Sequence, residues 1–232
     1  VSQQDSGSGD VIEAKEKPAT GGAVQAGTGK KVYLTFDDGP SKETEKILDI
    51  LKKRQVKATF FSIGRDDAFS KKMYQRIVKE GHTLGMHSYS HQYKEIYQSM
   101  DAFQADYERI SNCLTAATGI KPLYYRFPGG STEVTEKLQM TDLDAYFNAQ
   151  GASYFDWNVI AANNTTDDVS VNKMVDSVMN GVALYDTSIV LMYDSVDRKM
   201  TAKSLDSILD YLLKNGYEIL PIDENTIPIH HS

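Results

Sequence analysis

The hydrophobic positions of the chain follow two alternating patterns from residue 31 onward. Short runs rich in β-branched and aromatic side chains, such as VYLTF at 32–36, stop at Asp, Gly or Pro and are typical of strands. Between these runs apolar residues recur at helical spacing, for example from Phe103 to Leu114, with Gly119 as the predicted end. The predicted strands are 32–36, 58–63, 83–86, 123–127, 154–160, 188–192 and 217–222.

This alternation of strand and helix predicts an α/β fold. Strands joined by helices form a parallel sheet with right-handed crossovers, and about seven such units favour a distorted (β/α) barrel. The length of 232 residues fits one domain of that size. Because the chemistry of such barrels lies where strands end and loops begin, polar residues directly after the predicted strands are the candidates for a functional site.

The first thirty residues differ from the rest of the chain. Residues 1–30 are rich in Gly, Ser, Ala and Gln and have no hydrophobic period, which predicts a flexible linker before a folded domain at 31–228. No apolar run is long enough to span a membrane. No signal peptide is recognised, and the chain starts at Val1, so we expect a processed or trimmed chain that the linker could tether to a surface.

Composition argues against some functions. The formal net charge is -7, and a nucleic-acid partner would need a basic surface. The single cysteine, Cys113, excludes an intramolecular disulfide and is interpreted as a packing residue of a helix. The terminal pair His230 and His231 is too short for a metal-binding tract.

Two adjacent carboxylates follow the first predicted strand, in the segment TFDDGP at 35–40. At a strand exit Asp37 and Asp38 can point in different directions, so that one binds a cation while the other takes a proton. Asp-Gly-Pro is also ordinary turn chemistry, and the motif alone leaves both interpretations open.

Two histidines follow the third predicted strand, in the segment HSYSH at 87–91. His87 and His91 would share one face of a helix, within reach of one metal ion; two loop histidines without a ligand are the alternative. Together with Asp38 they make a set of two histidines and one carboxylate, which leaves coordination positions open for water and substrate.

A third polar motif, RFPGG at 126–130, again follows a predicted strand. Arg126 could hold a carboxylate in place, and the glycines would let backbone N–H groups approach a substrate oxyanion. A tight turn explains this motif equally well.

In this order and combination, TFDDGP, HSxxH about fifty residues later and RFPGG make the chain similar to the NodB-like polysaccharide deacetylases of carbohydrate esterase family 4, among them the peptidoglycan N-acetylglucosamine deacetylases. The resemblance covers roughly residues 31–222. It implies a distorted (β/α) barrel, the NodB homology domain. It also implies the removal of acetyl groups from N-acetylglucosamine polymers or, in some members, from acetylated xylan.

The resemblance further implies roles for individual residues. Asp37 would be the general base that activates the attacking water, and Arg126 would pair with Asp37 and position it. A divalent ion, with zinc expected and cobalt or nickel as alternatives, would be held by Asp38, His87 and His91.

Three more residues would line the substrate pocket. The backbone after Pro128, at Gly129, would help to stabilise the oxyanion, and Trp157 would wall the acetyl or sugar pocket. Plain core packing is the equally weighted alternative for Trp157.

The last motif departs from the family pattern. The family's apolar strand ends in a histidine that protonates the leaving amine, whereas residues 189–194 read IVLMYD and place Tyr193 there. An imidazole titrates near neutral pH and a phenol near pH 10. Tyr193 or water could therefore act as the acid, the enzyme could favour O-acetyl esters, or the protein could be a weak glycan-binding homologue.

A second departure depends on the alignment of the strand that holds Trp157. The family has an aspartate that tunes the acid histidine, and its place falls at Asn163 in one alignment and at Asp156 in another. Both alternatives stay open.

These observations lead us to expect a monomeric, metal-dependent hydrolase that acts on acetylated polysaccharide and has no nucleic-acid partner. We expect cell-wall peptidoglycan as the polymer and a position outside the bacterial cell, tethered through the linker. The alternatives are an acetylxylan-type O-acetyl esterase and a catalytically weak glycan-binding homologue.

Overall fold

The structure is a computed structural model that describes residues 28–134, 138–161 and 170–231. Most of the predicted linker and Asn163 lie outside the described residues. Within these ranges, no helix is long and apolar enough to cross a bilayer.

Strands and helices alternate along the described residues, as the hydrophobic pattern predicts. The strands are β1 (Lys31–Asp37), β2 (Thr59–Ser62), β3 (Thr83–Met86), β4 (Tyr124–Tyr125), β5 (Ser153–Tyr154), β6 (Val159–Ile160), β7 (Thr187–Tyr193) and β8 (Glu218–Ile219). The helices are α1 (Lys42–Arg54), α2 (Ala68–Lys79), α3 (Tyr93–Ile96), α4 (Met100–Thr118), α5 (Met140–Gln150), α6 (Val171–Ala183) and α7 (Met200–Lys214). A 3-10 turn, Ser131–Glu133, follows β4.

All strand pairs are parallel, and the sheet runs in the order β5-β4-β3-β2-β1-β7-β6. The strand β8 pairs with the first residues of β1, while β2 pairs with the last residues along β1. The predicted distorted (β/α) barrel of about seven strands is therefore confirmed.

The two faces of β1 carry different side chains because successive residues of a strand point to opposite sides. Val32, Leu34 and Phe36 belong to the large core cluster beneath the helices. Tyr33 belongs to a smaller inner cluster, and Thr35 and Asp37 follow it on the same face at alternate positions. The other buried members of the inner cluster are Phe61, Phe155, Ile189 and Ile222.

The single strand predicted at 154–160 is wrong. It is two short strands, β5 and β6, which lie at opposite ends of the sheet. β5 pairs with β4 whereas β6 pairs with β7, so the segment 155–158 carries the chain from one end of the sheet to the other. The apolar run could not reveal this break, because a buried apolar residue lies on each side of it, Phe155 before and Val159 after.

Candidate metal and hydrolytic site

The two adjacent carboxylates lie at the carboxyl end of β1 and point to different partners. Asp37 is the last residue of the strand and is buried. Asp38 has a φ of 74°, in the left-handed region that a non-glycine residue rarely adopts. This turn gives the two neighbouring side chains separate surroundings, and such an outlier is typical of functional sites.

Asp38, His87 and His91 form a compact group of metal-ligating side chains. Oδ1 of Asp38 lies 3.4 Å from Nε2 of His87 and 3.3 Å from Nε2 of His91. One ligand atom from each residue lies within 4.8 Å of the other two. The structure thus brings together the three residues that the sequence singled out as metal ligands.

The surroundings of His87 suit a metal ligand. Its Nδ1 lies 2.8 Å from the carbonyl oxygen of Arg126. A carbonyl can only accept a hydrogen bond, so Nδ1 carries the proton and Nε2 keeps a lone pair directed at Asp38 and His91. This tautomer is the one that binds a cation, and the mixed nitrogen and oxygen donors fit zinc or a similar divalent ion.

The shared helical face predicted for the two histidines is wrong. Residues 87–92 form a loop after β3, with positive φ at Ser88 (67°) and His91 (54°). The carboxylate of Asp106 accepts hydrogen bonds from the backbone of Tyr89 and Ser90 at 2.8 and 2.9 Å. A loop held by Asp106 therefore brings the two imidazoles together. The four-residue spacing singled out two histidines that do lie close together, but a shared helical face is not the cause.

Arg126 is fully buried beside Asp37 and has an acceptor for each of its nitrogens. Its Nη1 donates to Asp37 Oδ1 at 2.9 Å and to Thr35 Oγ1 at 2.6 Å. Its Nε and Nη2 donate to the carbonyl oxygens of Phe155 and Asp156, both at 2.9 Å. The guanidinium therefore closes the gap between β5 and β6 and fixes one oxygen of Asp37, as the sequence predicts.

The two carboxylates differ in proton affinity. Burial raises the pKa of Asp37 above its ordinary value, although the charges of Arg126 and His87 oppose this effect. Burial alone would also raise the pKa of Asp38, but the imidazoles of His87 and His91, in their protonated form, lower it well below its ordinary value through hydrogen bonds and charge. Asp37 is accordingly the better proton acceptor, and Asp38 remains an anion suited to a cation.

The loop after β4 passes over the site in a conformation that needs glycine. Gly129 and Gly130 have φ values of 81° and 90°, and Pro128 is held by a hydrogen bond from the Tyr97 hydroxyl to its carbonyl oxygen at 2.9 Å. The N–H of Gly130 donates to the carbonyl oxygen of Phe127 at 2.8 Å. Gly130 is thus engaged in the turn, which leaves Gly129 as the glycine of this loop for an oxyanion.

Trp157 packs against the inner cluster and also borders the site. It is half-buried, and its ring lies 5.5 Å from the guanidinium carbon of Arg126. A Cβ at Gly130 would lie 3.0 Å from the edge of the indole. Trp157 is therefore in part a packing residue, and its role as a wall of the substrate pocket stays a prediction.

Tyr193 ends β7 directly opposite Asp37, since the two are register partners in the parallel pair. Arg198 lies over its ring, with 5.0 Å between the guanidinium carbon and the ring centroid. Burial, together with the charges of Asp37 and Asp38, raises the pKa of the Tyr193 phenol well above its ordinary value. A phenol with a raised pKa gives up its proton less readily.

Asp156 is fully buried next to Trp157. Its carboxylate accepts hydrogen bonds from the backbone N–H and the hydroxyl of Ser131 and, at 2.7 Å, from the backbone N–H of His231. Of the two positions considered for the tuning aspartate, only Asp156 falls among the described residues.

Some residues of the site were missed in the sequence. The ring centroid of Tyr93 lies 5.4 Å from that of His91. Asp194 is buried behind the turn after β1, where it accepts a hydrogen bond from Thr44 at 2.7 Å. Asp194 directly follows the apolar strand, a position that could have identified it, whereas Tyr93 and His231 carry no local signal.

The family comparison matches the amino-terminal half of the barrel. The polysaccharide deacetylase family model matches residues 25–147. The peptidoglycan-N-acetylglucosamine deacetylase PgdA of Listeria monocytogenes is 33% identical over 203 residues, which is 86% of this chain. The chain spans 40% of the length of that relative.

Solved structures share the fold over most of the chain. The catalytic domain of the peptidoglycan N-acetylglucosamine deacetylase of Eubacterium rectale is 35% identical, with a TM-score of 0.81 over 92% of this chain and 97% of that one. A family 4 acetyl xylan esterase of Clostridium thermocellum, in complex with a cobalt ion, is 29% identical, with a TM-score of 0.68 over 83% and 88% of the two chains. The chain therefore belongs to the polysaccharide deacetylase family, whose members are hydrolases that remove acetyl groups from polysaccharides.

Proposed function

We propose that the protein is a metal-dependent deacetylase of N-acetylglucosamine polymers. One observation carries this proposal: a buried proton acceptor, Asp37, lies beside a compact group of three metal-ligating side chains, and Arg126 holds it by a 2.9 Å hydrogen bond. Hydrolysis of an amide requires a base for the attacking water and stabilisation of the oxyanion, and this arrangement provides for both.

Asp37 is the general base of this proposal. Arg126 fixes Oδ1 of Asp37, while Oδ2 lies 3.9 Å from Nε2 of His87, on the side of the ligand group. Oδ2 is thus the oxygen that would take the proton from water. The raised pKa of Asp37 makes the carboxylate a stronger base than an exposed aspartate.

Asp38, His87 and His91 would hold the divalent ion. A bound ion of this kind polarises the acetyl carbonyl and lowers the pKa of water. Zinc is our first candidate because its ligands are commonly histidine and carboxylate. The cobalt ion in the acetyl xylan esterase of Clostridium thermocellum supports cobalt as an alternative.

Trp157 and the loop at Pro128 and Gly129 would bind the substrate. The indole gives a flat apolar wall for a sugar or an acetyl methyl group. The backbone of Gly129 would approach the oxyanion, because a glycine leaves the main chain uncovered.

Peptidoglycan is the polymer that we propose. The relatives from Listeria monocytogenes and Eubacterium rectale are both peptidoglycan N-acetylglucosamine deacetylases, which supports this choice. We accordingly propose that the enzyme acts at the bacterial cell surface, and the composition of residues 1–30 fits a tether there.

Acetate release tests this proposal. The wild-type protein, supplied with zinc or cobalt, is incubated with N-acetylglucosamine oligomers and, separately, with acetylated xylan. We expect acetate from the oligomers and a much slower reaction with xylan. Release from xylan alone would identify an O-acetyl esterase, and retention of the oligomers without acetate release would identify a binding protein; either result contradicts the proposal.

A further inference from the structure

The C-terminal segment 229–231 crosses the mouth of the barrel where the sheet is open. The backbone N–H of Asp156 donates to the carbonyl oxygen of Ile229 at 2.8 Å. The ring of His230 stacks on Tyr154, with 3.9 Å between the centroids and an angle of 13°. The backbone N–H of His231 donates to the buried carboxylate of Asp156 at 2.7 Å. The segment is therefore fixed at three successive residues beside the proposed substrate pocket.

The imidazole of His231 lies between two walls of that pocket. Its ring meets the Trp157 ring edge-on, with 4.7 Å between the centroids and an angle of 84°. Its Nδ1 lies 3.3 Å from the point that a Cβ at Gly130 would occupy. Because Trp157 also lies 5.5 Å from Arg126, a single aromatic ring separates His231 from the Asp37–Arg126 pair.

The hydrogen bonds of His231 assign different tasks to its two ring nitrogens. Nε2 lies 2.7 Å from the carbonyl oxygen of Trp157, which can only accept, so Nε2 keeps a proton in both the neutral and the charged ring. Nδ1, on the side of Gly130, is the nitrogen that gains and loses a proton. Asp156 fixes this orientation through the main chain.

The sequence leaves a specific need for such a group. Departure of an amine requires a proton on the nitrogen as the C–N bond breaks, and a phenol is a weaker acid than an imidazolium. Tyr193 occupies the end of β7, at the place where the family pattern has a histidine.

We propose that His231, from the C-terminal segment, is the general acid that protonates the leaving amine. Asp37 takes one proton from the attacking water, and the water oxygen forms a bond to the acetyl carbon. As the C–N bond breaks, its electron pair goes to nitrogen, which receives the proton from Nδ1 of His231. The products are the free amine and acetic acid, which releases its proton to solvent as acetate, and solvent returns the proton from Asp37 to the imidazole. This inference rests on the proposed function.

The experiment compares His231→Gln with the control Ile227→Gln, a substitution in the same stretch of chain at a side chain that is 80% exposed. Each full-length variant is assayed on an N-acetylglucosamine oligomer and on 4-nitrophenyl acetate, whose leaving group needs little acid assistance. We expect His231→Gln to lower kcat on the oligomer by roughly 100-fold and to change the ester rate far less. Ile227→Gln should stay within about twofold on both substrates.

Imidazole rescue separates chemistry from structure. The variant His231→Ala should regain oligomer hydrolysis when free imidazole is added, whereas the wild-type protein should not respond. The inference is overturned if His231→Gln loses activity equally on both substrates, or loses less than about threefold on the oligomer. It is also overturned if Tyr193→Phe loses activity on the oligomer while His231→Gln does not. If the wild-type protein releases no acetate from the oligomer, the proposed function itself fails.

Discussion

At the scale of single residues, the site separates two tasks between adjacent aspartates. The left-handed conformation of Asp38, with a φ of 74°, directs its carboxylate to the two histidines and leaves Asp37 to Arg126. Identical side chains therefore have opposite pKa shifts and different proposed roles.

Substitution of the two aspartates should separate metal binding from turnover. We expect Asp38→Ala to abolish zinc binding, measured by titration calorimetry on metal-stripped protein, because it removes one of the three proposed ligands. Asp37→Asn should bind zinc with an affinity near that of the wild type, yet lose roughly 10²–10⁴-fold in kcat because an amide cannot take a proton. Full activity of Asp37→Asn would refute the assignment of the base.

A buried histidine away from the site should make stability depend on pH. Nδ1 of His82 accepts a hydrogen bond from Ala58 at 3.1 Å, and its buried Nε2 has no partner among the described residues. Burial, with the charge of Lys57 nearby, lowers the pKa of His82 to about 4. In the unfolded chain His82 binds a proton below about pH 6.5, whereas in the folded protein it does so only below about pH 4. Between these two values the unfolded state binds more protons, so the stability of the fold decreases as the pH falls.

Urea unfolding at pH 7 and pH 5 measures this effect. Between pH 7 and pH 5 we expect the titration of His82 to reduce the free energy of unfolding by about 1–2 kcal/mol. His82→Asn keeps an acceptor for the N–H of Ala58, and its free energy of unfolding should not show this contribution. His230→Asn, at an exposed position, should behave like the wild type. The same pH dependence in His82→Asn as in the wild type would show that other groups cause it.

At the scale of helices and strands, local signals predict well where they are complete. Ser41, directly after the Asp-Gly-Pro turn, caps α1: its hydroxyl accepts the N–H of Glu43, and its own N–H donates to the hydroxyl of Thr44. Gly119 ends α4 in the left-handed conformation, as expected. Both positions depend on neighbours within a few residues, so the sequence contains their physical cause.

Features that depend on distant partners were not predictable in this way. At the break between β5 and β6, Arg126, about thirty residues earlier, donates hydrogen bonds to the buried carbonyl groups of Phe155 and Asp156. The position of His231 depends on Asp156, 75 residues away in the sequence. No hydrophobic period encodes such contacts. The motif residues Asp37, Asp38, His87, His91 and Arg126 were singled out because each lies at the end of a strand or in the loop that follows it.

One helix-to-strand contact should override intrinsic helix propensity. Gly181 lies within α6, where alanine would ordinarily stabilise a helix by about 1 kcal/mol. A Cβ there would lie 2.5 Å from a methyl group of Val159, a stiff and buried side chain of β6. We expect Gly181→Ala to destabilise the protein by about 1–2 kcal/mol because of this overlap.

A double-mutant cycle tests the cause of that loss. Val159→Ala alone should also destabilise the protein because it removes buried volume. The double variant Gly181→Ala/Val159→Ala should lose about 1 kcal/mol less stability than the sum of the two single losses. Strict additivity in urea denaturation would mean that Val159 is not the obstacle.

At the scale of the whole molecule, the incomplete closure of the sheet brings the residues of the candidate site together. The carboxyl ends of β1 and β7 and the loop after β3 supply the charged groups. Arg126, Trp157 and the C-terminal segment 229–231 lie together at the gap between β5 and β6. A fully paired barrel would leave no carbonyl groups there for the guanidinium to bind.

The most direct test of the central claim is a metal-reconstitution assay. The protein is stripped with a chelator and dialysed, and acetate release from an N-acetylglucosamine oligomer is measured before and after zinc is restored, with Asp37→Asn as the matched control. We predict negligible release from stripped protein, recovery with zinc and no recovery in Asp37→Asn. Release that persists at full rate without metal, or that Asp37→Asn supports equally, would contradict the account.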